Sequence, residues 1–130
     1  VRAGYSSGTP ALGVGAGSLA ILSTLDDEEL AQVMRSNAAR LRQSPGGNLA
    51  EVLAERVRAA REAGYAVSSG SVASGLVGVG VPVLPRQGLL QLAISVSAVA
   101  DTIDPAEARR FAGIMQEAIR ARLARPVHGR

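Results

Sequence analysis

The chain has 130 residues, 47% of them hydrophobic and 2% aromatic, with 14 basic against 11 acidic side chains and no cysteine. That suits one domain whose core rests on Leu, Val, Ile and Ala; it excludes disulfides and thiolate metal sites, and no apolar run reaches the roughly 18–20 residues of a membrane span. Every basic residue is arginine, and on the helical segments arginines alternate with glutamates, which reads as solvated faces rather than a nucleic-acid footprint.

The segment 1–12 reads as a strand or loop broken by "SSGTP", with no leader pattern. It lacks an initiator Met, so a piece of a longer, cytoplasmic, bacterial protein is expected. After Gly13-Val14-Gly15-Ala16-Gly17 a short helix is expected from Ser18 to about Thr24. Asp26 then caps a second helix, with Glu29 three residues on and Leu25 and Leu30 in staple positions. Leu30, Val33, Met34 and Leu41 form its apolar stripe, and "SPGG" ends it. Asn48 and Glu51 repeat the capping pattern for a third helix. Val52, Leu53, Val57 and Ala60 carry it to Gly64, a C-terminal glycine. Tyr65 to Val67 is a short strand, and "SSGSVASG" (68–75) a serine-rich loop.

Two strands follow, 76–84 and 89–97, joined by "PRQG". Asp104, Pro105 and Glu107 are cap, first-position proline and first-turn acid of a last helix. Phe111, Met115, Ile119 and Leu123 are its buried side, and Pro126 stops it. This order predicts an α+β fold with an antiparallel sheet.

Closing the last two strands on Pro85–Gly88 sets Val79 opposite Ile94, Val77 opposite Val96, Gly78 opposite Ser95 and Gly80 opposite Ala93. Side chains alternate along a strand. One face is then bulky and aliphatic, to be covered by the helices. The other carries Gly78, Gly80, Ser95 and Ser97. Two readings of that small face stay open. It is a close-packed backbone contact, or it is the floor of a pocket. The glycine run meets it, because the first amides of a helix lack internal partners and carry partial positive charge. Glycine lets a ligand approach them. The run is neither G-x-G-x-x-G nor a P-loop. Amides and serine hydroxyls together suit one small carboxylate, held with roughly micromolar to millimolar affinity.

"ALGVGAGSLAILSTLDDEEL", "REAGYAVSSGS" and "GVGVPVLPRQGLLQLAISVSA", followed by a capped final helix, resemble the C-terminal effector-binding domain of IclR-family transcriptional regulators over nearly the whole chain. The resemblance implies a GAF-like, profilin-like sheet with helices on one face and a ligand pocket on the other. It implies dimers or tetramers that bind promoter DNA through an N-terminal winged helix-turn-helix, expected to be missing here along with the first elements of the effector domain. It implies effector-binding positions at Gly15 and Ala16, at Ser68, where members often have an acid, at Gly78, where cysteine is common, and at the paired Ser95 and Ser97. Ala98 replaces a frequent glycine. The smaller, less polar Ser68 and Gly78 imply an effector larger or more apolar than a two- or three-carbon acid.

The rival classes are weaker. The only histidine is His128, in a tail, so no Ser-His catalysis is expected, and no cofactor, metal or catalytic residue is assigned. A ligand-free GAF-like oligomerisation module is the alternative. The expected partners are a small-molecule effector, other copies of the chain, and DNA only through the missing domain, with no membrane.

Overall fold

The structure, a computed structural model, describes residues 15–39, 49–69, 75–83 and 92–124. Helix α1 spans Ala16–Ser23 and α2 spans Asp27–Ser36. The Asp26 side chain caps α2 by accepting from the Glu29 amide at 2.7 Å. This is the cap expected from the sequence. Helix α3 (Leu49–Ala63) follows, and it ends at Gly64, where φ is +82°. Only glycine takes that left-handed geometry without strain. The strands are β1 (Ala66–Ser69), β2 (Leu76–Val83) and β3 (Leu92–Val99). A short 3-10 turn, Ala100–Thr102, leads to α4, Pro105–Ala124. Asp104 caps α4 through the Glu107 amide at 2.8 Å.

The three strands form an antiparallel sheet in the order β1-β2-β3. The α+β class with an antiparallel sheet is therefore as expected. The register differs. Val79 lies opposite Val96, Gly80 opposite Ser95 and Gly78 opposite Ser97, a shift of two from the tight-turn pairing. The residues between Val83 and Leu92, "PRQG" among them, lie outside the described residues. An even shift leaves every side chain on its face, so the bulky and small faces survive it. The expected terminal strand or loop at 1–12, the break at "SPGG" and the stop at Pro126 also fall outside the described residues, as does Leu41.

Helices cover both faces, which differs from the one-sided arrangement that the resemblance implies. On the bulky side Val79 and Val81 pack with Ala108, Ala112 and Met115 of α4. On the small side Ala66 joins Leu19, Leu22, Leu25, Leu53, Val57 and Ala60 of α1, α3 and the turn between α1 and α2. The reason is the small face itself. Glycine and alanine let a helix backbone come close enough to exclude water from a second core. Two apolar positions assigned to buried stripes stay outside: Val52 and Leu123 are each 40% exposed. Helix α4 outruns its core cluster, whose last contact is Ile119.

Arg61 ties α3 to the start of α2. It donates to Asp27 Oδ1 at 2.8 Å and to the Leu25 carbonyl at 2.6 Å. The cap beside it titrates. The backbone hydrogen bond from Glu29 holds the Asp26 carboxyl below the usual aspartate range. The Glu29 carboxyl, hydrogen-bonded to Asp26 and facing its charge, is pushed up. A lowered folded-state value means that Asp26 stabilises α2 above the unfolded aspartate range. That contribution is lost as pH falls through the lowered value. Glu29 acts oppositely, and its contribution fades as pH rises through its raised value. Urea midpoints measured down the acid limb should therefore follow a different slope in Asp26→Asn, which removes both shifts while its amide still caps. An identical acid limb in the two proteins would remove Asp26 from the account.

Candidate effector site

Strand pairing sets two rows across the small face. Ser68 of β1 lies opposite Gly78, and Gly78 opposite Ser97. Next to it run Ala66, Gly80 and Ser95. Ser68, expected in the serine-rich loop, belongs to β1 instead and is 4% exposed. The ladder continues two residue pairs further, through Ser68 and Ser69, than its short apolar run suggests.

The N-terminus of α1 stands on these rows. A Cβ built on Gly80 would collide with the Ala16 carbonyl oxygen and would come within 3.0 Å of the Gly17 nitrogen. A Cβ on Gly78 would meet the Ala16 Cβ at 3.1 Å and the Ser97 Oγ at 3.8 Å. A Cβ on Gly17 would lie 3.5 Å from Ser95 Oγ. Gly15, Ala16, Ser68, Gly78, Ser95 and Ser97 are thus brought together on one face, around Ala16. Gly80 does not act as open floor, as the pocket reading expected. It is the seat on which the α1 backbone rests. Over the middle strand the face is close-packed against α1, whereas at β3 Ser95 and Ser97 are exposed.

The missed participants are Gly17 and Ala93, which flank Ser95. Their signal was present in the sequence as small residues at the alternating positions of two facing segments.

Gly15 is the N-cap of α1, with no side-chain capping bond, and the first turn of the helix holds no acid. The Gly15 carbonyl accepts from the Leu19 amide at 3.0 Å and from Ser18 Oγ at 3.1 Å. The amides of the first turn need partners from outside the helix, and they carry the positive end of its dipole. The Ser95 hydroxyl stands beside Gly17, and the Ser97 hydroxyl beside Gly78 on the same face. An arrangement of neutral donors, with no acid in the first turn of α1, can take one anionic oxygen pair. A shallow concavity among the described residues lies elsewhere, along α4.

An antiparallel sheet with helices packed on it and a glycine-seated helix end defines an α+β domain. A sequence model for the C-terminal region of the bacterial transcriptional regulator IclR matches residues 10–122, and the chain belongs to that family. Among solved structures it is similar to IclR of Thermotoga maritima, at 22% identity and a TM-score of 0.71, over 88% of this chain and 47% of that one. A second is an IclR transcriptional regulator from Alicyclobacillus acidocaldarius, at 26% identity and a TM-score of 0.69, over 95% of this chain and 50% of that one. A third is a double mutant of the PobR transcription factor inducer-binding domain from Acinetobacter in complex with 3-hydroxybenzoic acid, at 18% identity and a TM-score of 0.72, over 95% of this chain and 73% of that one. The chain therefore spans about half the length of the Thermotoga and Alicyclobacillus proteins. No curated protein sequence matches it. Among the described residues no helix is long and apolar enough to cross a membrane.

Proposed function

We propose that the chain is the effector-sensing domain of a cytoplasmic, DNA-binding transcriptional regulator, and that it binds a small organic carboxylate between the start of α1 and the serines of β3. The DNA-binding part is assigned to a winged helix-turn-helix outside these 130 residues. The observation that carries the reading is the uncapped, acid-free N-terminus of α1 lying against Ser95. The amides of Ala16 and Gly17 would hold one carboxylate oxygen, and the Ser95 and Ser97 hydroxyls would donate to the other. Ser68 and Gly78 would shape the far end. Hydrogen bonds to a charged group are each worth roughly 1.5–3 kcal/mol net, which a partly open site reduces.

The ligand is expected to be larger than a two- or three-carbon acid. Gly78 and Ser68 bring less polarity than the cysteine and acid that the resemblance places at those positions. The 3-hydroxybenzoic acid bound to the PobR domain is of the size and charge that this site would suit. Binding would favour one arrangement of the dimer or tetramer and so change the spacing of the DNA-binding parts. A coupling of about 1–3 kcal/mol suffices. No catalytic step is assigned to the domain.

Calorimetric titration with a panel of aliphatic and aromatic carboxylates tests this. An aromatic or branched acid should bind, and Ser95→Ala should weaken it by roughly tenfold with an unchanged thermal midpoint. Binding of glyoxylate or pyruvate alone would overturn the size assignment. Equal affinity in Ser95→Ala would remove Ser95 from the site. Absence of any stabilising ligand would favour the ligand-free oligomerisation module.

A further inference from the structure

Helix α4 uses one side to cover the sheet, through Ala108, Ala112 and Met115. Its opposite side is unusual for a helix face in water. Arg110, Gly113, Ile114, Glu117, Ala118 and Ala121 line an open concavity there. Ile114 is 54% exposed. A Cβ at Gly113 would meet nothing within 4 Å. Among the described residues nothing calls for glycine at this position, although a mid-helix glycine costs about 1 kcal/mol relative to alanine. A residue that is costly within its own chain and unexplained by it points to a contact outside.

The charges indicate which contact. Glu107 pairs with Arg110 at 3.1 Å, and Glu117 pairs with Arg120 at 3.3 Å. Each pair lies within the helix, one before and one after Gly113. Acid precedes base in both. A second α4 laid antiparallel, with the two-fold axis between residues 113 and 114, sets Arg110 opposite Glu117 and Glu107 opposite Arg120. The same operation sets Ile114 opposite Gly113, so each exposed isoleucine faces the gap left by the other copy's glycine. Ala106 falls opposite Ala121, and small residues allow close helix approach. A parallel alignment would set Arg110 against Arg110. Self-complementarity of this kind is what an isologous interface demands, and an unrelated partner would have no use for it.

We infer that the outer face of α4 is a self-association surface, on which a second copy of this chain docks antiparallel with Ile114 seated over Gly113 and Arg110 paired to Glu117 across the two-fold axis. This supplies a surface for the self-association invoked above, and it stands apart from the effector reading, because Val79 and Val81 separate α4 from the α1 side of the sheet. One helix pair buries little area, so the dimer is weak and concentration-dependent.

Sedimentation velocity of the 130-residue chain over a concentration series tests it. Arg110→Glu and Glu117→Arg should each raise the dimer dissociation constant by roughly tenfold or more, because like charges then face each other twice. Mixing the two single variants in equal amounts should restore association, since each reversed charge meets its opposite in the other chain. The double variant R110E/E117R should also associate. Gly113→Gln should be monomeric with a thermal midpoint no lower than the parent's. A parent chain monomeric throughout, single reversals without effect, or a mixture that stays monomeric would each overturn the inference. Carboxylate titration of Arg110→Glu keeps the two proposals apart. Retained ligand binding in a monomeric variant leaves the effector reading standing, and a ligand-silent parent that still dimerises removes the effector reading alone.

Discussion

Gly80→Ala is expected to destabilise the domain by about 3 kcal/mol, near the upper end for overpacking. Its added methyl would strike the Ala16 carbonyl and would lie 2.6 Å from the Ala16 carbonyl carbon. These are backbone atoms, which no rotamer change can clear. Either β2 shifts or α1 lifts, and α1 carries Leu19 and Leu22, both 1% exposed in the core. Alanine's lower unfolded-state entropy returns only about 0.5–1 kcal/mol. Thermal unfolding should show a midpoint lower by about 10 °C. Gly113→Ala is the control, since its methyl enters open space and should stabilise a helix by up to about 1 kcal/mol. Near-equal midpoints for Gly80→Ala and the parent would mean that α1 does not rest on Gly80.

Leu19→Ala should cost about 3 kcal/mol, within the range for a buried leucine truncated to alanine. Leu19 follows the site by one turn. Its amide bonds the Gly15 carbonyl at 3.0 Å, and its side chain joins the cluster with Leu53, Val57 and Ala66. The loss is one of packing, and it loosens the end of the helix that presents the amides. Carboxylate affinity should therefore fall together with the urea midpoint. Ile114→Ala makes the contrast: with 54% of Ile114 exposed, its removal should change protomer stability by less than about 0.5 kcal/mol. Equal midpoints for Leu19→Ala and Ile114→Ala would contradict the core described here.

Much of this was legible in the sequence because local chemistry decides it. Asp26 with Glu29, and Asp104 with Glu107, mark two helix starts that the structure has at those positions. Gly64 marks a helix end, with its positive φ. The alternation of glycine and valine in β2, and of serine with aliphatics in β3, separates the two faces whatever the register. The register itself was not legible, because a shift of two residues changes no pattern. The occupant of the small face was not legible either. Ala16 has no sequence neighbour in β2, and its descent onto Gly80 is a tertiary event. The same glycines that suggested a hollow are there to admit a backbone. What remains open is the part of the face at β3, where the hydroxyls of Ser95 and Ser97 stand exposed. Leu123 shows the opposite limit: helical periodicity identified its face but not where the covering strands end.

The central claim is that an acid binds where α1 begins, against β3. Amide NMR titration of the 130-residue chain with 3-hydroxybenzoate, a probe of the proposed ligand class, reads that location directly. The account predicts saturable shifts concentrated at Gly15 to Ser18 and at Ser95 to Ser97, reduced in Ser95→Ala. Shifts confined to the outer face of α4, or saturating binding that leaves the amides of Ala16 and Gly17 unmoved, would contradict it.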